Sequence, residues 1–231
     1  METLNFEKTI YIRALIMYTK KRECKTLIWR CVLIDSIWSK IEKIAEENHG
    51  VIKTSAVEAE GISRPMLRKY VEEGKLEQVR KGLYVRADDL ADEFAMVQLQ
   101  SSKAIFSYGT ALYLWGLSDR TPHRFDITVP QGTNISRFKR DNPTIRCHYV
   151  QPEVYDVGIT EIQSPQGAIV RLYDKERCIC DLIRDKDKVD IQIYTQAIKD
   201  YFNTKADRRK LLKFSKVLGV EDKVRTYMEV L

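Results

Sequence analysis

Histidine is scarce in this 231-residue sequence: His49, His123 and His148 are the only three, and they are far apart. Cysteine does not make up the shortfall. The five cysteines fall at 24, 31, 147, 178 and 180, an odd number with no pair at zinc-ligand spacing. No metal site is therefore expected, and all five are read as reduced thiols of a cytoplasmic protein. Cys178 and Cys180, two apart in a helix-like stretch, should point to different faces. Long apolar runs are missing too. No stretch approaches the ~20 residues of a membrane span. The early segment "ALIMYTKKRECKTLIWRCVLI" is interrupted by charges and lacks the order of a signal peptide. No Gly-Lys phosphate loop, His-Glu metal motif or serine elbow is present, and no repeat or low-complexity tract.

What is present is an ordinary globular composition, 44% hydrophobic and 31% charged, with a net charge of +6. The excess is uneven. Residues 50–86 carry eight basic and five acidic groups, whereas residues 87–231 carry 22 and 21. A modest basic patch in the first part suits a nucleic-acid partner.

From residue 36 the pattern becomes regular. "SIWSKIEKIAEENHG" places Ile37, Trp38, Ile41, Ile44 and Ala45 on one helical stripe, stopped by Gly50. "TSAVEAEG" reads as a short helix capped by Thr54 and ended by Gly61. "ISRPMLRKYVEEG" reads as a third, with Ser63 at its cap and Pro65 in its first turn. Ile62 and Leu67 are spaced for a hydrophobic staple, and Gly74 ends the helix. "KLEQV" and "LYVRA" then form a hairpin around "RKG", where Gly82 supplies a positive φ. Three helices and a hairpin are the order of a winged helix-turn-helix, placed at residues 36–88. Residues 1–35 are an N-terminal extension of unknown role.

The remainder, residues 89–231, reads as an α+β domain with strands first and helices last. A helix is expected from about Leu90 to Leu99. "AIFS", "RFDITVP", "PTIRCHYV", "TEIQS" and "AIVRLY" are strands, and "YGTALYLWGLS" is a helix among them. "DKERCICDLIRD" and everything after it is helical. Asp181 and Arg184 in that stretch are read as a helix-surface ion pair, worth a few tenths of a kcal/mol. Tyr113 and Trp115 are read as core.

In the third helix, Leu67, Tyr70 and Val71 share one face, and Arg64, Arg68 and Lys69 lie away from it. The start of such a helix enters the major groove, where arginine can pair with two guanine acceptors. Thr54 and Ser63, at helix starts, suit phosphate contacts. Arg80 and Lys81, at the hairpin tip, are expected to reach the neighbouring backbone or the minor groove. Glu72, Glu73 and Glu77 dilute this positive field.

"TSAVEAEGISRPMLRKYVEEGKLEQVRKGLYV" resembles the N-terminal winged helix of the AbiEi antitoxins, which belong to type IV toxin–antitoxin pairs of the abortive-infection kind. "SYGTALYLWGLSDRTPHRFDITVPQGTNISRF" and "DKERCICDLIRDKDKVDIQIYTQAIKDYF" resemble that family's C-terminal antitoxin domain. The resemblance covers about residues 36–231. The chain departs from the family at Tyr108 and Trp115, where histidine is frequent. The resemblance implies a repressor of its own operon that binds inverted repeats in double-stranded promoter DNA. It also implies neutralisation of a nucleotidyltransferase-like toxin, without requiring a stable complex. Thr54, Ser63, Arg64, Arg68, Lys69, Arg80 and Lys81 are the expected DNA-facing positions. The alternative is a DNA-binding regulator whose C-terminal domain senses a ligand and has no toxin partner.

A nucleotidyltransferase would need two carboxylates on one strand face to hold magnesium. Asp126 is followed two positions later by Thr128, so the second carboxylate is missing. Asp126 is read as a strand-end or surface carboxylate. The protein is expected not to be an enzyme and to need no cofactor.

Overall fold

In the computed structural model, residues 36–89, 92–204 and 207–231 are described. The reading of residues 1–35 as an extension, and Cys24 and Cys31 with it, lies outside these. The chain divides into two compact units between Asp88 and Asp89.

The first unit runs α1 (residues 36–47), β1 (Val51–Lys53), α2 (Thr54–Ala59), α3 (Arg64–Glu72), β2 (Leu76–Arg80) and β3 (Leu83–Arg86). Ile41, Ile44 and Ala45 of α1 are buried, as their spacing dictates. They meet Val57 of α2, Leu67 and Tyr70 of α3, and the staple residue Ile62 in one apolar cluster. Trp38 lies against Tyr70, ring centroids 5.0 Å apart. The helix-turn-helix is closed by a three-stranded antiparallel sheet, order β1-β3-β2. Strand β1 is three residues long, too short for a periodicity of its own.

In the second unit, α4 (Glu93–Gln100) and β4 (Ile105–Phe106) come first, then α5 (Tyr108–Leu114) and β5 (Phe125–Pro130). Next come α6 (Ser136–Asp141), β6 (Ile145–Val150), α7 (Pro152–Tyr155), β7 (Ile159–Gln163) and β8 (Ile169–Tyr173). Helices α8 (Lys175–Arg184), α9 (Ile191–Asn203), α10 (Arg208–Val217) and α11 (Glu221–Val230) finish it, with a 3-10 turn at Lys186–Lys188 after α8. The expected order of strands first and helices last needs correcting. Helices alternate with strands up to β7, and only the last four helices follow the sheet. The short helices α6 and α7, six and four residues long, occupy stretches with too few apolar positions to show a stripe. The first helix of the unit starts at Glu93 rather than Leu90, because Asp92 caps it: its carboxylate accepts the Ala95 N–H at 3.0 Å.

The sheet is mixed, in the order β6-β5-β4-β8-β7. Strand β4 is the centre, antiparallel to β5 and parallel to β8. Ile105 and Phe106 there, and Ala104 just before them, are fully buried. Strand β6 lies parallel to β5 at one edge, and β7 antiparallel to β8 at the other. Helix α8 is buried around its whole circumference, packed against α5, α9, α10 and α11. That is why Cys178 and Cys180, though on different faces, are both inside. Burial pushes both thiols up, Cys180 to about 12, so neither is a nucleophile at neutral pH.

Candidate nucleic-acid interface and polar cleft

Each expected DNA-facing residue has a place in the first unit. Gly82 takes φ +80° at the hairpin tip, and its carbonyl accepts the Thr54 N–H at 3.0 Å. The wing tip is thereby tied to the start of α2. Thr54 is the first helical residue rather than the cap, a position taken by Lys53. Lys53 and Arg80 stand on either side of Leu83 across the three strands. With exposed Lys81 they gather three cations at one end of the sheet. Partial burial lowers the Lys53 pKa. Arg80 has Nη1 buried without a hydrogen-bond partner among the described residues.

Helix α3 turns Leu67 and Tyr70 inward and leaves Arg68 exposed. Ser63 occupies the cap position with extended backbone, but its side chain makes no capping bond and is exposed. Its hydroxyl remains open to a phosphate. Arg64 is engaged: its Nε donates to Glu58 Oε1 at 2.5 Å, across the turn between α2 and α3. That hydrogen bond lowers the Glu58 pKa and raises that of Arg64. Lys69 pairs with Glu73 at 3.5 Å. Among the described residues Arg68 has no carboxylate at ion-pair distance. Among the described residues the structure thus separates Arg68 and Lys81, which form no ion pair, from Arg64 and Lys69, whose charges are shared.

The second unit contains a polar cleft of about 1180 Å³. Its floor is built on β5 and β6. Asp126 sits in register with Arg146, so Asp126, Thr128, Arg146 and His148 project to one face. His148 Nε2 is 2.9 Å from Asp126 Oδ1, and Arg146 Nε is 3.7 Å from the same oxygen. The Asp126 carboxylate fits because residue 109 is glycine: a Cβ there would stand 3.1 Å from Oδ2. Asp126 is 6% exposed, which corrects its reading as a surface carboxylate. Thr128 donates to Ser107 at 2.9 Å and is buried, so the face holds one carboxylate.

The second wall comes from α5 and the segment after α8. Tyr108 adopts φ +43°, unusual for a residue with a side chain, and stacks on His148 at 4.1 Å between ring centroids. Its hydroxyl donates to Asp185 Oδ2 at 2.7 Å and accepts from Arg184 Nη2 at 3.1 Å. Burial, reinforced by the Asp181 charge and the Asp185 bond, raises the Tyr108 pKa, so it stays a neutral phenol. Burial alone would raise Asp185. The hydrogen bonds from Lys188 and Tyr108, with the Arg184 charge, outweigh it and hold the carboxyl below its usual range. The cleft rim carries Arg120, His123 and Arg124 from the loop before β5. Arg120 is tied to Gln192 and, at 3.5 Å, to Asp190.

Behind this wall lies a buried ion cluster. Asp181, 1% exposed, has Arg177 Nε 2.9 Å from Oδ2 and Arg184 Nη2 2.8 Å from Oδ1. Burial raises the Asp181 pKa despite both arginines. Arg177 is fully buried and also donates to the Val154 and Val157 carbonyls at 2.7 and 2.9 Å. The ion pair expected at the surface between Asp181 and Arg184 is therefore buried at its Asp181 end, while Arg184 stays part-exposed toward the cleft. The apolar neighbours Cys178, Ile179, Leu182 and Ile183 carry α8 into the core and take Asp181 with them.

Sequence reading singled out Asp126 and Tyr108 but missed the cleft that joins them. His148, Arg146 and Asp185 carry no local signal for the cleft, because the contacts that bring them into it, to Asp126 and Tyr108, span 20 to 77 residues. Trp115 is half-buried, its indole N–H donating to the Tyr173 carbonyl at 2.9 Å, which is a packing role.

Residues 39–87 match the family model described as "Transcriptional regulator, AbiEi antitoxin". The match begins within α1 and ends one residue after β3, so it spans the helix-turn-helix and its wing. No curated protein matches the chain significantly. Among solved structures, the chain is similar in fold to the Rv2827c protein from Mycobacterium tuberculosis. The TM-score is 0.56 at 13% identity, covering 76% of this chain and 69% of that one. Among the described residues, no helix is long and apolar enough to cross a membrane.

Proposed function

We infer that this protein is a cytoplasmic antitoxin and transcriptional autorepressor of a type IV, AbiE-like operon involved in phage defence. Its winged helix binds inverted repeats in its own promoter, and the second unit neutralises a nucleotidyltransferase-like toxin. The observation that carries this reading is the family match over 39–87, falling on a helix-turn-helix whose wing tip is bonded to α2. In this reading Arg68 contacts base edges, Ser63 and Thr54 meet phosphates, and Arg80 and Lys81 hold the neighbouring backbone. Arg64 and Lys69 act as backbone contacts, competing with Glu58 and Glu73 for their charges. The second unit is a binding domain and not an enzyme, with Asp126 held as a structural anion between Arg146 and His148.

The direct test is a gel shift with the protein's own upstream DNA against scrambled DNA at two salt concentrations. Sequence-selective binding that weakens with salt supports the repressor role. Equal, weak binding to both DNAs sinks it. Co-expression with the product of the adjacent gene tests the other half: growth must be rescued, and residues 1–88 alone must not rescue it. A second reading, a regulator whose second unit senses a ligand and has no toxin partner, draws on the cleft.

A further inference from the structure

We propose that the cleft of the second unit is a binding site for a nucleoside phosphate. The proposal stands on the cleft alone and holds with or without a toxin partner.

The charge argument comes first. Residues 89–231 carry 22 Lys and Arg against 20 Asp and Glu, an excess of two. The cleft lining holds five against three, the same excess, so the unit's net positive charge resides in this one concavity. The three lining carboxylates are already engaged by protein groups. Asp126 is held by His148 and Arg146, Asp185 by Tyr108, Arg184 and Lys188, and Asp190 by Arg120 and the Gln192 N–H. None is left to hold a cationic ligand. Among the described residues Arg124 has no ion-pair partner, and Arg146 has only the distant contact to Asp126 at 3.7 Å. These two guanidiniums reach the cleft from the loop just before β5 and from β6, and His148 stands two positions beyond Arg146 on the same face. Planar guanidiniums converging from two elements match phosphate oxygens in a way that a single carboxylate would not fill.

The rest of the lining fixes the remainder of the ligand. Val150, Val154, Val189, Ile193 and Pro122 give the same cleft an apolar surface suited to a base. At about 1180 Å³ the cleft exceeds the ~300–1000 Å³ usual for small-molecule sites, which leaves space for sugar, base and more than one phosphate. The floor is pre-formed: Tyr108 is pinned by Asp185 and Arg184 and holds the His148 ring by stacking. A ligand therefore meets an ordered cleft floor, which lowers the cost of binding.

The test is equilibrium dialysis of the full chain with radiolabelled ATP, GTP, CTP and UTP in turn, repeated on Arg124→Gln and Arg146→Gln. Arg124 is exposed and makes no ion pair within the described fold, so its variant reports on binding even if Arg146→Gln disturbs Asp126. At least one nucleotide should bind once per chain, and Arg124→Gln should weaken it about tenfold or more, the scale of one charge-assisted hydrogen bond. The unphosphorylated nucleoside of the same base should fail to compete. No binding of any of the four at millimolar concentration overturns the proposal, as does binding that both variants leave unchanged. Competition by inorganic phosphate as effective as that of the nucleotide overturns the nucleoside part. Retention of a 5′-phosphorylated oligonucleotide with no mononucleotide binding overturns it in favour of a nucleic-acid end.

Discussion

The two units handle charge in opposite ways. In the winged helix the ion pairs of α3 lie at the surface: Arg64–Glu58 has side chains 68% and 41% exposed, and Lys69–Glu73 has 40% and 36%. Such pairs contribute little to stability and are screened by salt. In the second unit the side chains of Arg177 and Asp181 are 0% and 2% exposed, so their pairing is obligatory. The difference shows where each unit keeps charge for use. A surface that exchanges its ion pairs for phosphates at little cost suits DNA. A buried cluster that cannot be exchanged suits a wall that must keep its shape.

The comparison can be broken most sharply at Asp181. Replacing it with Ala leaves Arg177 as an uncompensated buried charge, and should cost about 3–5 kcal/mol in urea denaturation of the whole chain. A loss below about 1 kcal/mol would mean that water reaches the cluster and that the units are alike. Next is Arg68→Ala, which should cost about 1–3 kcal/mol in operator binding and relax base preference, while leaving stability nearly unchanged. Lys81→Ala should instead weaken binding to all sequences evenly and lower the salt slope by about one.

Asp185 sharpens the comparison through pH. Its folded pKa lies below its ordinary value, so its contribution to stability is present above that value and is lost as pH falls through the folded one. Asp181 has the opposite sign: its raised pKa means that the folded state takes up that proton first on acidification. Asp185→Asn should therefore lower stability at neutral pH and flatten the remaining loss below about pH 4. An unchanged acid profile would show that Asp185 is not coupled to Lys188 and Tyr108. The smallest effect is expected at Glu58→Ala. The denaturation midpoint should stay where it is, while DNA affinity rises about twofold to fivefold as Arg64 is released to a phosphate. A fall in affinity would mean that Glu58 orients Arg64 for DNA rather than competing for it.

Much of the fold was legible because its signals are local. Ile41, Ile44 and Ala45 announce a helix by spacing, Gly74 and Gly82 announce turns, and "RFDITVP" alternates like the strand it is. Three-residue β1 and four-residue α7 are shorter than the period that would betray them. The DNA-facing residues were legible as residue types, but whether a charge is shared depends on three-dimensional partners, as Arg64 and Glu58 show. The cleft was not legible, since Tyr108, Asp126, His148 and Asp185 meet only once the sheet is paired. One clue was present all the same. Arg177, Asp181 and Arg184 recur at i, i+4 and i+7, the spacing of a single helix stripe, within a run that is otherwise apolar. Such a stripe is usual on an exposed face, but here Cys178, Ile179, Cys180, Leu182 and Ile183 spread over the rest of the circumference and leave the helix no solvent side for Asp181.

The single main-chain bond from the Thr54 N–H to the Gly82 carbonyl makes that amide a built-in gauge of the wing. Hydrogen exchange at Thr54 requires the hairpin tip to lift, whatever side chains the tip carries. Its exchange rate therefore measures how often the wing opens in solution, and a ligand that clamps the tip slows that one proton before it changes anything else in the fold.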